Sequence, residues 1–252
     1  MKKVFITGAS SGIGKALAHA YAKRNCILGL SARRGDILFN VADECRDLGG
    51  TPFVYQLDVQ ERNNCETVAE QFKKDADGID IVIANAGIGG DDELYSGSSK
   101  HINTILKTNI LGVTNTLMPF IPAMKEQNMG TLVCISSVAS FIPLPYHGGY
   151  ASSKIAIRMI FDSWRPTLQK YDIKTVSICP GFVDTPIVKG PARQFPMKSA
   201  TDAAERFVKI INRGYSTYVY PWPYRPLIWL NRLIPEKLYN WLIKKMFHKP
   251  IT

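Results

Sequence analysis

Tyr150 and Lys154 lie four residues apart, so a helix opening near Tyr150 sets a phenol and an ammonium on one face. A free tyrosine, with a pKa of about 10, is a poor base near neutral pH, and a cation close by favours its phenolate. Thirteen positions before Tyr150, Ser137 stands at the end of the strand-like run 130–136, GTLVCIS. A strand-end hydroxyl facing a phenol backed by an ammonium can move a proton. The pattern Y-x-x-x-K also arises by chance, and a tyrosine at a helix start is commonly packing. The rest of the chain decides between the two.

A second constellation opens the chain. The apolar run Lys3–Thr7 suits a buried parallel strand. GASSGIG from Gly8 to Gly14 then leads into a helical pattern over Lys15–Lys23. Glycines at a strand-to-helix turn let backbone approach a pyrophosphate, which the helix N-terminus stabilises. The next strand, Cys26–Ser31, ends in Arg33 and Arg34 instead of the acid that would bind an adenine ribose. Arginine at that point accommodates a 2′-phosphate, which points to NADP(H) over NAD(H). Paired arginines at a strand end are otherwise solvated surface.

The elements that must position these groups alternate. Helices are expected near 37–48, 62–74, 100–127, 150–171 and 202–213, the last capped by Ser199 with Asp202. Strands are expected near 51–57, 79–84, 130–136, 174–179 and 216–220. Such alternation predicts an α/β chain, a single Rossmann-type doubly wound parallel sheet over 1–220. Nearly every chemistry-bearing residue follows a strand, on the carboxyl edge where such sheets bind ligands. Gly89–Ser99 reads as a loop and Pro186–Lys198 as a flap over the site. Residues 221–252 form a helical, amphipathic C-terminal extension.

Composition narrows the function classes. At 252 residues and 46% hydrophobic content the chain can bury a large core. The start of the chain predicts no signal peptide, and no apolar run reaches the roughly 18 residues of a spanning helix. Five cysteines, without metal-ligand spacing, read as reduced, buried thiols of a cytoplasmic protein. The four histidines also lack ligand spacing, so no metal is implied; His147 is a loop residue that could touch substrate. The net charge of +10 is uneven. From Arg213 onward seven basic residues face one acid, Glu236, a net +6. The excess sits in a Trp- and Leu-rich tail and forms no stripe with base-stacking aromatics, which argues against nucleic acid.

Together these motifs resemble the short-chain dehydrogenase/reductase family over about Lys3–Tyr220. They are TGASSGIG from Thr7 to Gly14, Asn85-Ala86-Gly87, Asn109, Ser137, Tyr150 with Lys154, and Pro180-Gly181. The resemblance implies that Tyr150 is the general acid/base. Lys154 would lower its pKa and bind the nicotinamide ribose, Ser137 would orient the substrate oxygen (Ser136 is the weaker candidate), and Asn109 would hold a relay water. Gly8, Ser10, Ser11, Gly12, Ile13 and Gly14 would cradle the pyrophosphate. Arg33, helped by Arg34, would meet the 2′-phosphate, and Asp58 and Val59 the adenine. Asn85, Ala86 and Gly87 would lie along the cofactor's ribose, and Pro180, Gly181, Val183 and Thr185 along the nicotinamide. The implied activity is NADPH-dependent reduction of an apolar ketone, aldehyde, steroid-like or fatty carbonyl, reversible as alcohol oxidation.

Two alternatives stay open: a non-catalytic NADP-binding sensor or scaffold acting through its tail, and an epimerase or dehydratase on the same fold. An intact Ser137, Tyr150 and Lys154 set disfavours the sensor. In the tail, Pro235 separates two short helical runs. On the second, Leu238, Tyr239, Leu242 and Met246 share one face, opposite Lys237, Asn240, Lys244 and His248. A basic amphipathic stretch over 227–247 suits peripheral contact with the inner face of a membrane; packing on the chain's own core or on a second subunit is the competing reading. A homodimer or homotetramer is expected through the 100–127 helix and through Ile155, Ile157, Phe161 and Trp164.

Overall fold

Val4 and Ile6 of strand β1 (Lys3–Thr7) are buried under one layer of helices, and Phe5 under the other. A strand covered on both faces reads as an unbroken apolar run, which is how β1 appears in the sequence. The structure, a computed structural model, describes residues 1–188, 196–231, 233–235, 237–239 and 241. After β1 come Gly12–Ala22 (α1), Ile27–Ala32 (β2), Gly35–Asp47 (α2), Thr51–Gln56 (β3), Arg62–Asp75 (α3) and Ile81–Ala84 (β4). Lys100–Leu106 (α4), Gly112–Leu117 (α5), Ile121–Gln127 (α6), Gly130–Ile135 (β5) and Gly148–Gln169 (α7) follow. The last elements are Ile173–Pro180 (β6), Ala200–Arg213 (α8), Thr217–Tyr220 (β7) and Tyr224–Asn231 (α9).

All seven strands pair in parallel, in the order β3-β2-β1-β4-β5-β6-β7. This is the doubly wound α/β sheet. Leu17 and Tyr21 of α1, Leu38 and Val41 of α2, and Phe207 and Ile211 of α8 pack one face. Phe72, Leu117, Phe120, Met124, Ile157 and Phe161 pack the other. The direction of winding reverses between β1 and β4, and the carboxyl ends at such a reversal are where folds of this kind hold ligands. Ser199 caps α8 by accepting the Asp202 N–H at 3.0 Å, and Gly214, at φ +71°, ends it.

Two expectations need correction. The single helix expected over 100–127 is broken into α4, a π-turn at Lys107–Leu111, α5, a 3₁₀ turn at Met118–Phe120 and α6. Pro119 and Pro122 each lack an N–H, which favours the second break; the π-turn is where Asn109 is buried. Ile157 and Phe161 are fully buried core residues and cannot form a subunit contact. They share the sheet-facing side of α7, whereas Ile155 and Met159 point outward.

The chain beyond Tyr220 returns to the sheet. Ile228 of α9 is buried with Val138, Cys179 and Val219, and Phe141, Ile142 and Tyr224 pack around them. Most of the expected flap, residues 189–195, lies outside the described residues, as do Asn240, Leu242, Lys244, Met246 and His248 of the second tail helix. All five cysteines are free and buried.

Candidate active site

Strand β5 ends at Ile135, and the two serines that follow face different ways. The Ser136 hydroxyl donates to the Lys154 carbonyl at 2.9 Å and clamps α7 to the sheet. Ser137 instead caps the short turn Val138–Ser140, accepting the Ala139 N–H at 3.1 Å and donating to the Pro180 carbonyl at 3.5 Å, and it lies close enough to Tyr150 to favour the phenolate. One turn along α7, the Lys154 ammonium is buried 5.7 Å from the centre of the Tyr150 ring and donates to the Ile135 carbonyl at 2.8 Å.

Burial dominates the electrostatics. It pushes the Tyr150 phenol above its ordinary range, an effect only partly offset by the Ser137 hydroxyl. It also lowers Lys154 to about 8. The expected lowering of Tyr150 by Lys154 is therefore absent in this arrangement. The ammonium donates to a backbone carbonyl, and burial is the larger influence on the phenol.

Asn109 is fully buried and joins three segments. Its Oδ1 accepts the Ile88 N–H at 2.9 Å, and its Nδ2 donates to the Ile88 carbonyl at 2.9 Å and to the Ser153 hydroxyl at 3.0 Å. Ser153 in turn donates to the Tyr150 carbonyl at 2.7 Å. A side chain on Gly87 would come within 3.1 Å of Asn109 Oδ1 and 3.4 Å of Lys154 Nζ, so glycine keeps those two polar groups open to each other.

The second half of the site surrounds the β1–α1 turn. Gly8, at φ +66°, lies so close to Asn85 and Ala86 that a Cβ would sit 2.9 Å from both; one on Gly14 would overlap the Gly8 carbonyl. The Asn85 side chain donates to the Thr7 and Gly8 carbonyls at 2.9 and 3.2 Å, while the Thr7 hydroxyl accepts the Asn85 and Ala86 N–H groups. Asn85 thus locks the turn, a structural duty beside the ribose contact expected of it. Thr185 packs over Gly12, 3.2 Å from where a Cβ would be. Val183, in a parallel bridge with Lys198, is buried just before it. Ile13 is partly buried against the α1 side of the core.

Arg34 Nη2 donates to the hydroxyls of Ser10 and Ser11 at 3.0 and 2.9 Å, placing a guanidinium on the glycine turn. Arg33 is more exposed, with its nearest acid, Asp58, at 3.9 Å. Asp58 also accepts the Gln60 N–H at 3.0 Å, and Val59 is buried against Gly112. Glycines, two hydroxyls and the Arg34 guanidinium round one turn fit the phosphates of a nicotinamide dinucleotide.

Asp92 escaped the sequence reading. Asp92 is a buried carboxylate from the Gly89–Ser99 loop, and it accepts the Gly148 and Gly149 N–H groups at 2.5 and 2.9 Å, at the start of α7. Its own N–H donates to the Tyr146 carbonyl at 2.7 Å. His147 joins the same contact through the Gly90 carbonyl, 2.9 Å away. Gly181, after Pro180, lies flat against the Tyr224 ring, where a Cβ would overlap the aromatic carbons.

Comparison with known proteins agrees with this geometry. A family model described as short chain dehydrogenase matches residues 2–194. An uncharacterized oxidoreductase of Myxococcus xanthus is 31% identical over 242 residues, 95% of either chain. The human 17-beta-hydroxysteroid dehydrogenase 13 is 31% identical over 238 residues, 93% of this chain and 79% of its own. Among solved structures, an alcohol dehydrogenase from the archaeon Thermococcus sibiricus, complexed with 5-hydroxy-NADP, superposes with a TM-score of 0.78 at 29% identity, covering 87% of this chain and 95% of its own. A Burkholderia phymatum protein complexed with NAD shares the fold at a TM-score of 0.83 and 22% identity, covering 96% and 95%. The chain belongs to the short-chain dehydrogenase/reductase family, and its relatives here point to an oxidoreductase acting on a carbonyl or alcohol group.

Proposed function

We propose that this protein is an NADPH-dependent reductase of apolar carbonyl compounds, with Tyr150 as the proton donor. The observation that carries the reading is the convergence of Ser137, the Tyr150 phenol and the buried Lys154 ammonium, 5.7 Å from the Tyr150 ring, on the same carboxyl edge of the sheet as the Arg34–Ser10–Ser11 cluster. Gly8, Gly12 and Gly14 would hold a nicotinamide dinucleotide, which would supply the hydride. The remaining tasks belong to the chain. Ser137 fixes the substrate oxygen beside the Tyr150 phenol, which gives that oxygen its proton. A raised pKa keeps the phenol protonated near neutral pH, which suits the reductive direction. Lys154, at about 8, is mostly charged there and supports the phenolate once it forms. Asn109 and Ser153 hold the catalytic turn of α7 in place, and Asn109 would hold a water that links Lys154 to solvent.

Arg33 and Arg34 favour NADPH over NADH, since each can neutralise the 2′-phosphate. The apolar preference is supported by Ile187 beside Gly89 and Tyr150, and by Phe141 and Ile142 just beyond Ser137. Subunits associate through outward residues of the α4–α6 and α7 surfaces, among them Leu111, Met118, Ile155 and Met159. We place the protein in the cytoplasm, with the extension 221–252 reaching the inner face of a membrane through 227–247. Among the described residues no helix is long and apolar enough to cross a membrane.

The test is oxidation of NADPH against a panel of apolar ketones and aldehydes, with NADH and Tyr150→Phe as controls. Turnover that needs NADPH and Tyr150 supports the reading. Tight NADPH binding with no turnover of any member would favour the sensor instead.

A further inference from the structure

The described part of the tail has two faces with opposite characters. Tyr224 and Ile228, one helical turn apart, point inward from α9 to Gly181 and to Val138, the residue after Ser137. Further on, the Tyr239 hydroxyl donates to the Pro143 carbonyl at 2.5 Å, within the loop that leads into α7. The tail is therefore fixed to the rim of the active site at both ends of its described length. The opposite side of α9 carries Leu227, Trp229 and Leu230, flanked by Trp222 and Leu233, with exposures from 52% to 72%. A run of large apolar side chains this exposed marks a docking surface.

Charge selects the occupant. Residues 213–252 carry a net +6 of the chain's +10. A second copy of this chain carries the same net charge of +10, so charge opposes a contact between copies. An anionic lipid surface instead takes up the tryptophans at its interface and is attracted by each nearby Lys and Arg. We infer that the outer face of α9 docks on an anionic bilayer and that the site beside it draws its carbonyl substrate from the lipid. The inference rests on the reading of the site as a reductase of apolar carbonyls. A docked α9 would set Val138, the residue after Ser137, directly behind the helix that meets the lipid.

The experiment uses the full chain and the double variant Trp229→Glu/Leu230→Glu, whose residues lie outside the catalytic machinery. Three quantities are read: co-sedimentation with vesicles of phosphatidylcholine with or without phosphatidylserine, NADPH-dependent turnover of a long-chain ketone carried in those vesicles or of a short water-soluble ketone, and mass in solution. The wild type should sediment with the phosphatidylserine vesicles and be released by salt. The variant should lose binding and vesicle-borne turnover by at least about tenfold, while keeping water-soluble turnover and mass. A wild type that reduces the soluble ketone but ignores the vesicles overturns the inference and leaves the reductase reading standing. A variant that changes mass but not vesicle-borne turnover overturns it too, because the face is then a subunit contact. If neither ketone is reduced, the reductase reading fails and takes this inference with it.

Discussion

Replacing Asp92 by alanine tests how the catalytic helix is held. Asp92 accepts the first two N–H groups of α7 and is itself 6% exposed. Hydrogen bonds to a charged group contribute about 1.5–3 kcal/mol each. Gly148 is exposed, so water replaces its lost partner; Gly149 is buried, and its N–H is left unpaired. The combined cost is about 3 kcal/mol, above the ordinary loss of an N-cap, because one donor has nowhere to turn. For a chain of this length that lowers Tm by about 6–12 °C. Tyr150 follows Gly149 directly, so kcat should fall at least about tenfold from misplacement of the phenol. NADPH affinity should stay nearly constant, since Thr7–Gly14 and Asn85 lie on other strands. Asp92→Asn keeps one acceptor oxygen and should recover roughly half of the lost stability. Differential scanning calorimetry with steady-state kinetics measures both quantities. An Asp92→Ala protein that melts within about 2 °C of wild type and keeps its kcat would refute the reasoning.

Other perturbations reach different parts of the account. Arg33→Ala and Arg34→Ala should each raise KM for NADPH by about tenfold to a hundredfold, the size of a lost charge-assisted contact, while KM for NADH moves little. Gly14→Ala should abolish cofactor binding in a titration, because its methyl would overlap the Gly8 carbonyl. Asn109→Ala removes three hydrogen bonds at the π-turn and should lower both Tm and kcat, whereas Asn109→Asp should restore only the bond from the Ile88 N–H. Lys154 releases its proton near pH 8 when folded, but keeps it to about 10.4 when unfolded. Between those values the unfolded chain binds more protons, so stability rises with pH. The Tm of wild type should therefore gain on that of Lys154→Met from about pH 8 to about pH 10, and a constant difference would contradict the lowered pKa.

The alternation of strands and helices, and with it the sheet, was readable because both faces of the sheet are covered and each strand is a short apolar run. Gly8, Gly12, Gly14, Ser137, Tyr150 and Lys154 stood out because their spacing follows local geometry: one turn, or one helix repeat. The π-turn did not, since residues 107–111 carry no local break signal and Asn109 turns inward only to meet Ile88 and Ser153. Ile157 and Phe161 were misassigned because a helix apolar on more than one side does not say which side meets the sheet. Asp92 was invisible for another reason. Its partners, Gly148 and Gly149, are more than fifty residues away, and capping across such a gap leaves no trace in the order of residues. The balance between burial and charge at Tyr150 and Lys154 depends on depth in the fold, which spacing does not encode.

Transfer of deuterium from reduced, deuterated NADP to a ketone, followed by mass spectrometry of the product alcohol in wild type and Tyr150→Phe, tests the central claim most directly. The account predicts deuterium on the carbinol carbon with wild type, and a loss of about 10²–10⁴-fold in rate with Tyr150→Phe at unchanged cofactor affinity. Label transfer at the wild-type rate by Tyr150→Phe would contradict it.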